Sequence, residues 1–266
     1  MLQRWIEGCA RRLPARCEVC RAWPSRAVCR ACERLLRPRA GRCARCALRL
    51  ADTDPADPAG ALTATSGPPM SGAWNEAPTQ AAASVRRVLC RDCSQTQAAP
   101  LDACIAALPY AYPWDVLIAR LKFRGEPGLA RMLAGLMVQT PGAAALIAGA
   151  DRLLPMPLGP RRLARRGYNQ SHELARRLAP GRCDPHTLLR VRETPPQASL
   201  DRAARLSNLE GAFAVDPSRC RSLQGQRLLL VDDVMTTGAT LAEAARTLRQ
   251  AGAAEVGAIV LARTDQ

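Results

Sequence analysis

Histidine occurs twice, aromatic residues make up 3% of the chain, and lysine occurs once, at Lys122. His172 and His186 have no patterned companions, so nothing supports a Ser/His/Asp or Cys/His nucleophilic arrangement. The few aromatics supply neither a named stacking platform for a nucleobase nor RNP-like spacing. No GxxxxGK[ST] and no GxGxxG occurs, which removes the P-loop and dinucleotide-binding signatures. Apolar stretches fall short of the ~20 residues of a bilayer span. The opening Leu2-Gln3-Arg4-Trp5-Ile6-Glu7 is too short and charged for a secretory segment, so a cytoplasmic chain without membrane insertion is expected.

Arginine is abundant. The formal charge is +15, and 37 of the 38 basic residues are arginine. Thirteen of these arginines fall in residues 1–50, against Glu7, Glu18 and Glu33, and Arg161, Arg162, Arg165 and Arg166 form a second cluster. Such surfaces attract polyphosphates and nucleic acid alike. The bias towards arginine equally fits a solvated basic face, and it makes the single lysine conspicuous.

Cysteine is patterned. Cys17/Cys20, Cys29/Cys32, Cys43/Cys46 and Cys90/Cys93 are four CxxC pairs. Two such pairs make one tetrahedral four-thiolate site, so eight cysteines predict two structural zinc ions. A disulfide framework and redox CxxC motifs are the alternatives; the first lacks a secretory context and the second a thioredoxin-like strand before each pair. Sequential pairing is the simplest arrangement, with crossed pairing open. Binding two zincs through eight thiolates would lower the formal charge to about +11. Cys9, Cys104, Cys183 and Cys220 have no patterned partner and read as inert thiols.

The pattern divides the chain into a cysteine module at 1–98, interrupted by a mobile or disordered Ala/Pro/Gly/Thr/Ser-rich insert at about 51–85, and an α/β domain at 99–266. Trp114, Leu117, Ile118 and Leu121 mark one helix ending at Lys122-Phe123-Arg124-Gly125, and Leu129, Met132, Leu133 and Leu136 a second. Leu153 to Pro157 reads as a strand broken by prolines, Arg161 to Gln170 as a basic loop, and Ser171 to Ala179 as a helix. Alternation of strands and helices predicts a parallel sheet flanked by helices, with the site at the strands' carboxyl ends.

The densest chemistry is Val231-Asp232-Asp233-Val234-Met235-Thr236-Thr237-Gly238-Ala239-Thr240. Leu228 to Val231 reads as a buried strand, and Leu241, Ala244, Ala245 and Leu248 as the core face of a helix ending before Gly252. The intervening loop then offers free amides and the positive end of a helix dipole, which stabilise a phosphate without side-chain charge. Gly238 admits close approach, and Thr236, Thr237 and Thr240 add hydroxyls. Asp232 and Asp233 repel a phosphate, so their natural partners are ribose hydroxyls or Mg2+. In the bland alternative they end a strand and cap the helix.

This segment resembles the PRPP-binding signature of type I phosphoribosyltransferases. Together with the KFRGE segment, LLPMPLGPRRLARRGYNQ and TPPQASLDRAARLSNLEGAF, it is similar to the ComF family (ComFC/GntX-like) of phosphoribosyltransferase-like proteins, and the CxxC series resembles that family's double zinc ribbon. The resemblance covers nearly the whole chain except the insert. It implies the type I phosphoribosyltransferase fold, a PRPP site at Val231, Asp232, Asp233, Thr236, Thr237, Gly238, Ala239 and Thr240, and Mg2+ held mainly by PRPP. Asp232 and Asp233 would hold the ribose hydroxyls and act as the catalytic pair. Pro157-Leu158-Gly159 takes the place of the pyrophosphate loop, and Arg161, Arg165, Arg166 and Gly167 fall in a following flexible loop, with Lys122 and Arg124 near the same phosphates. Tyr168 and Asn169 either line the acceptor side or cap the next helix; Gln197, Arg205 and Asn208 match a family stretch without an evident physical role. Two functions stay open: phosphoribosyl transfer to an unidentified acceptor, or a non-catalytic PRPP-fold protein that binds single-stranded DNA and competence proteins in DNA uptake.

Overall fold

The computed structural model describes residues 16–25, 28–36, 41–50, 88–96, 99–192 and 209–265. The 51–85 insert, Cys9, and Gln197, Arg205 and Asn208 lie outside the described residues. Two compact units result, 1–39 and 40–266. The first contains α1 (Arg30–Leu36) and the first two CxxC pairs.

The second unit begins with α2 (Arg91–Gln95) beside the remaining CxxC pairs, then β1 (Ala103–Pro109), α3 (Trp114–Phe123), α4 (Leu129–Val138), α5 (Ala143–Gly149), β2 (Arg152–Pro155), α6 (Pro160–Arg166) and α7 (Gln170–Leu178). It continues with β3 (Leu188–Arg190), β4 (Phe213–Val215), β5 (Arg227–Met235), α8 (Ala239–Gln250) and β6 (Glu255–Arg263). Strands β1, β6, β5 and β2 form one sheet in that order with every pairing parallel, and β3 and β4 form an antiparallel pair.

Both faces of the sheet are covered, which is why Leu228 to Val231 is uninterruptedly apolar and buried. Leu228, Leu230, Val256, Ala258 and Val260 pack against Leu241, Ala244, Ala245 and Leu248 of α8 and Leu188 and Phe213 of the antiparallel pair. On the opposite side, Gly257 and Leu229 approach Leu146 of α5, and α7 packs against α4, β5 and β2. The helix expected at Trp114 forms as read, with Trp114, Leu117, Ile118 and Leu121 buried. Among the described residues no single helix is long and apolar enough to cross a membrane.

Two expectations are corrected. Strand β5 does not stop at Val231 but runs through Met235, so the two aspartates sit within the strand. Its tail stays paired because Val234 and Met235 keep register with Ala262 and Arg263 of β6, a strand whose length the local pattern does not announce. Arg161 to Arg166 is not loop but α6: Gly159 is the N-cap, Pro160 pre-sets the first turn, and Gly167 closes it at φ 80°, donating its N–H to the Leu163 carbonyl at 2.8 Å. Arginine is a good helix former, so charge density alone did not imply a loop.

Candidate functional site at the carboxyl ends of β5 and β6

The crevice is built where β5 outruns its edge neighbour. β2 ends at Pro155, tolerated because β2 is an edge strand, and Met156 N–H still reaches the Val231 carbonyl at 2.9 Å. From there the chain turns into α6, leaving Asp232 and Asp233 beside the opening.

Asp232 accepts a hydrogen bond from Ser171 Oγ at 2.9 Å, and its other neighbour is the Asp233 N–H at 2.9 Å. Burial, then the charge of Asp233, push the Asp232 carboxyl up to about 7, while Lys122 and the two donors pull the other way. Asp233 is 3% exposed. Its Oδ1 lies 3.0 Å from Lys122 Nζ and accepts the Val234 N–H at 2.6 Å, whereas its Oδ2 is buried with no hydrogen-bond partner among the described residues. The structure thus brings Lys122 to the Asp232-Asp233 pair, from which it lies 110 and 111 residues away in sequence. Ser171 was not anticipated; it lies 61 residues from Asp232, and only its place just inside a capped helix could have drawn notice.

Beyond Met235 the backbone turns through Thr236 and Thr237 to Gly238, at φ 82°, the N-cap of α8. A Cβ on Gly238 would lie 2.4 Å from Met235 Cε, the movable end of that side chain, so the positive φ is the stronger demand for glycine here. Thr236 is exposed and Thr237 and Thr240 partly so. At the opening of α8, where amides lack intrahelical partners, Thr237 Oγ1 accepts from Ala239 N–H at 3.4 Å.

The arginines behave unequally. Arg161 and Arg165 are exposed. Arg166 turns inward: its guanidinium lies 5.2 Å from the Phe123 ring centroid, donates to Gln170, and is held below its usual range by desolvation, with the Asp233 charge opposing. Tyr168 anchors by donating its hydroxyl to the Leu121 carbonyl. Asn169 caps α7, its side-chain oxygen accepting from Ser171 and His172 N–H, so the capping alternative describes it. His172 is held below the ordinary imidazole value by burial.

The cysteines pair sequentially. Cys17, Cys20, Cys29 and Cys32 form one cluster and Cys43, Cys46, Cys90 and Cys93 another, with all four sulfurs of each within 4.8 Å of one another. The described cysteines are free thiols, against the disulfide alternative. Cys20–Cys29 and Cys46–Cys90 sulfurs lie 3.7 Å apart. Four sulfurs ~2.3 Å from a central ion stand about 3.8 Å apart along a tetrahedral edge, so the donor sets fit a four-thiolate metal centre. Amides of Cys29 and Cys32 approach Cys17 and Cys29 Sγ at 3.3 and 3.4 Å, as thiolate ligands require. Cys104 is inert, its thiol pushed up to about 12 by burial, and burial likewise pushes Cys183 up to about 11.

Residues 163–266 match the phosphoribosyl transferase domain family. DNA utilization protein YhgH of Salmonella typhi is 37% identical over 171 residues, covering 62% of this chain and 74% of that protein. Competence protein F of Haemophilus influenzae is 34% identical over 160 residues, 58% of this chain and 69% of the relative. Competence protein ComFC of Bacillus subtilis is 36% identical over 113 residues, 42% and 44% of the respective chains. A parallel sheet with an acidic pair and a glycine-hinged loop at its carboxyl edge, two four-cysteine clusters ahead of it, and relatives of this likeness leave one conclusion: the chain belongs to the ComF family of phosphoribosyltransferase-like proteins.

Proposed function

We propose that the crevice binds PRPP with its Mg2+, and that the chain transfers the phosphoribosyl group in the service of DNA uptake or use. The observation that carries this reading is Asp233 Oδ2, a carboxylate oxygen buried without a donor among the described residues, five residues ahead of a helix amino end suited to phosphate. A diol supplies the missing O–H, and a sugar phosphate brings diol and phosphate together on one molecule.

In this reading the 5-phosphate rests on the amides and hydroxyls of Thr236 to Thr240, with Val231 as the rigid strand behind. Asp232, fixed by Ser171, and Asp233, fixed by Lys122, receive the ribose hydroxyls. The C1–oxygen bond to pyrophosphate breaks as a bond from C1 to the acceptor nucleophile forms, and pyrophosphate leaves with Mg2+. Positive charge on the ribose is stabilised by the two carboxylates, and negative charge on the leaving group by Lys122, Arg166, Arg161 and Arg165 beside the turn at Pro157-Leu158-Gly159. Releasing Lys122 from Asp233 towards the diphosphate supplies this cation when the diol arrives.

The two cysteine clusters hold one Zn2+ each as closed structural sites. Reduced thiols in metal-like sets support a cytoplasmic setting. The relatives' names, DNA utilization protein and competence protein, support a place in DNA handling, and the arginine excess supports an electrostatic contact with single-stranded DNA. A second reading keeps that contact and dispenses with turnover; the ion pair occupying Asp233 favours it, because a resting site closed by its own lysine suits a sensor.

Calorimetry with PRPP and Mg2+ tests the site: Asp232→Asn with Asp233→Asn should abolish binding in a folded protein, and unchanged affinity overturns the assignment. Pyrophosphate release from PRPP in a metabolite extract separates enzyme from sensor.

A further inference from the structure

The last residue of the central strand β6, Arg263, has no role in the reading above. It is 6% exposed, and both Nε and Nη1 of its guanidinium are buried without a hydrogen-bond partner among the described residues. A buried arginine cannot discharge itself, because its proton does not leave at any accessible pH, so it needs a counter-charge far more than a buried lysine or histidine would.

Two neighbouring groups that could offset its charge do not do so. Asp265, two residues on, is held by Arg42 at 2.9 Å. Cys104, whose thiol feels the charge of Arg263, stays neutral because burial pushes it up to about 12. Thr264 Oγ1, next along the chain, is also buried and has no partner among the described residues.

Its backbone is fixed from both sides. Arg263 is in register with Pro109 of β1 and with Met235 of β5, its carbonyl accepts the Tyr110 N–H at 2.8 Å, and the following Thr264 N–H donates to the Met235 carbonyl at 3.1 Å. Met235 is the residue from which the Thr236 to Gly238 turn springs. The unsatisfied guanidinium therefore stands on a rigid strand end, one strand over from the phosphate-type loop, at the carboxyl ends of a parallel sheet where ligands collect.

We propose that Arg263 is the cation of a second anion-binding position in this crevice, one that takes a phosphate or carboxylate oxygen of a bound ligand. Two sources carry such an oxygen: the 5-phosphate of PRPP, and an anionic group on the acceptor. The anion position itself stands on Arg263 alone, whereas naming PRPP as its neighbour rests on the proposed function. A planar guanidinium suits both groups, and a site of this kind sacrifices stability when empty to gain affinity when filled.

The test uses the full metal-loaded chain and two variants, Arg263→Met, which keeps volume and removes charge, and Arg263→Lys, which keeps charge and removes the fork. Calorimetry is run with ribose 5-phosphate, and with benzoate added to the complex with PRPP. If the 5-phosphate is the ligand, Arg263→Met weakens ribose 5-phosphate at least tenfold and Arg263→Lys recovers part of it. If the acceptor is, ribose 5-phosphate affinity is unchanged and benzoate binding, present in the parent, disappears in Arg263→Met. In either case thermal unfolding of ligand-free Arg263→Met comes at the same or a higher temperature than the parent. A lowered unfolding temperature with both affinities intact overturns the proposal, since Arg263 would then be paired internally. Inorganic phosphate binding that depends on Arg263 in a protein that ignores PRPP would sink the proposed function and leave the anion position standing.

Discussion

Lys122 Nζ lies 3.0 Å from Asp233 Oδ1, joining the only lysine of the chain to the more buried of the two motif aspartates. The pair sits at the end of α3 and the tail of β5, with side chains 18% and 5% exposed, so solvent screens it little. Removing one partner of such a pair leaves a buried charge, which costs more than the pair contributes. Lys122→Met should therefore destabilise the protein by about 2–3 kcal/mol, and adding Asp233→Asn should return most of that loss. Urea unfolding of the four members of the cycle measures the coupling; additive losses would show the contact to be worth nothing.

A pH dependence follows from Asp232. Its carboxyl is pushed from 3.8 up to about 7, first by burial and then by Asp233. Between those values the folded protein holds a proton that the unfolded chain has released, so this group's contribution to stability falls as pH rises from about 4 to about 7 and is flat above. Asp232→Asn should remove that slope, and relative to the parent it should gain on the order of 2–4 kcal/mol between pH 4 and pH 8. Parallel stability curves for parent and variant would contradict the raised value.

The acidic pair and its loop were legible because their residues are contiguous: strand, carboxylates, glycine and helix follow one another within twenty-one residues, 228 to 248. The cysteine clusters were legible for the same reason, each ligand pair being fixed by its own short turn. What escaped was set by distance or by burial. Ser171 meets Asp232 only because α7 packs across the end of β2. At Arg161 to Arg166 the Gly159-Pro160 start and the Gly167 stop are the sequence signals of a helix, and the density of charge masks them. Arg263 is one of thirty-seven arginines, and nothing local distinguishes it until β6 is seen to be a central strand.

Gly238 offers a local test of the loop. Its φ of 82° disfavours any side chain, and a Cβ there would meet Met235 Cε at 2.4 Å. Gly238→Ala should cost about 1–2 kcal/mol, part from the backbone and part from the clash. Adding Met235→Ala should relieve the clash, leave the backbone cost, and introduce a cavity beside Cys104, whose Sγ lies 3.8 Å from Met235 Sδ. PRPP affinity should fall tenfold or more in Gly238→Ala alone; full affinity would move the phosphate out of this loop.

The two cysteine clusters should respond differently to loss of a ligand. Metal analysis of the intact chain should return two zinc ions, and Cys17→Ser and Cys43→Ser should each return one. The Cys43 cluster belongs to the unit that contains the sheet: Ala44 accepts the Cys104 N–H at 2.9 Å, and Ala47 is fully buried in the core with Leu101, Met235 and Ala239. Since metal binding there is folding energy for that core, Cys43→Ser should lower its unfolding free energy by several kcal/mol, roughly 3–5. The Cys17 cluster lies in the separate unit of residues 1–39, so Cys17→Ser should leave the main transition within about 0.5 kcal/mol of the parent. Equal losses from both substitutions in scanning calorimetry would refute the independence of the two units.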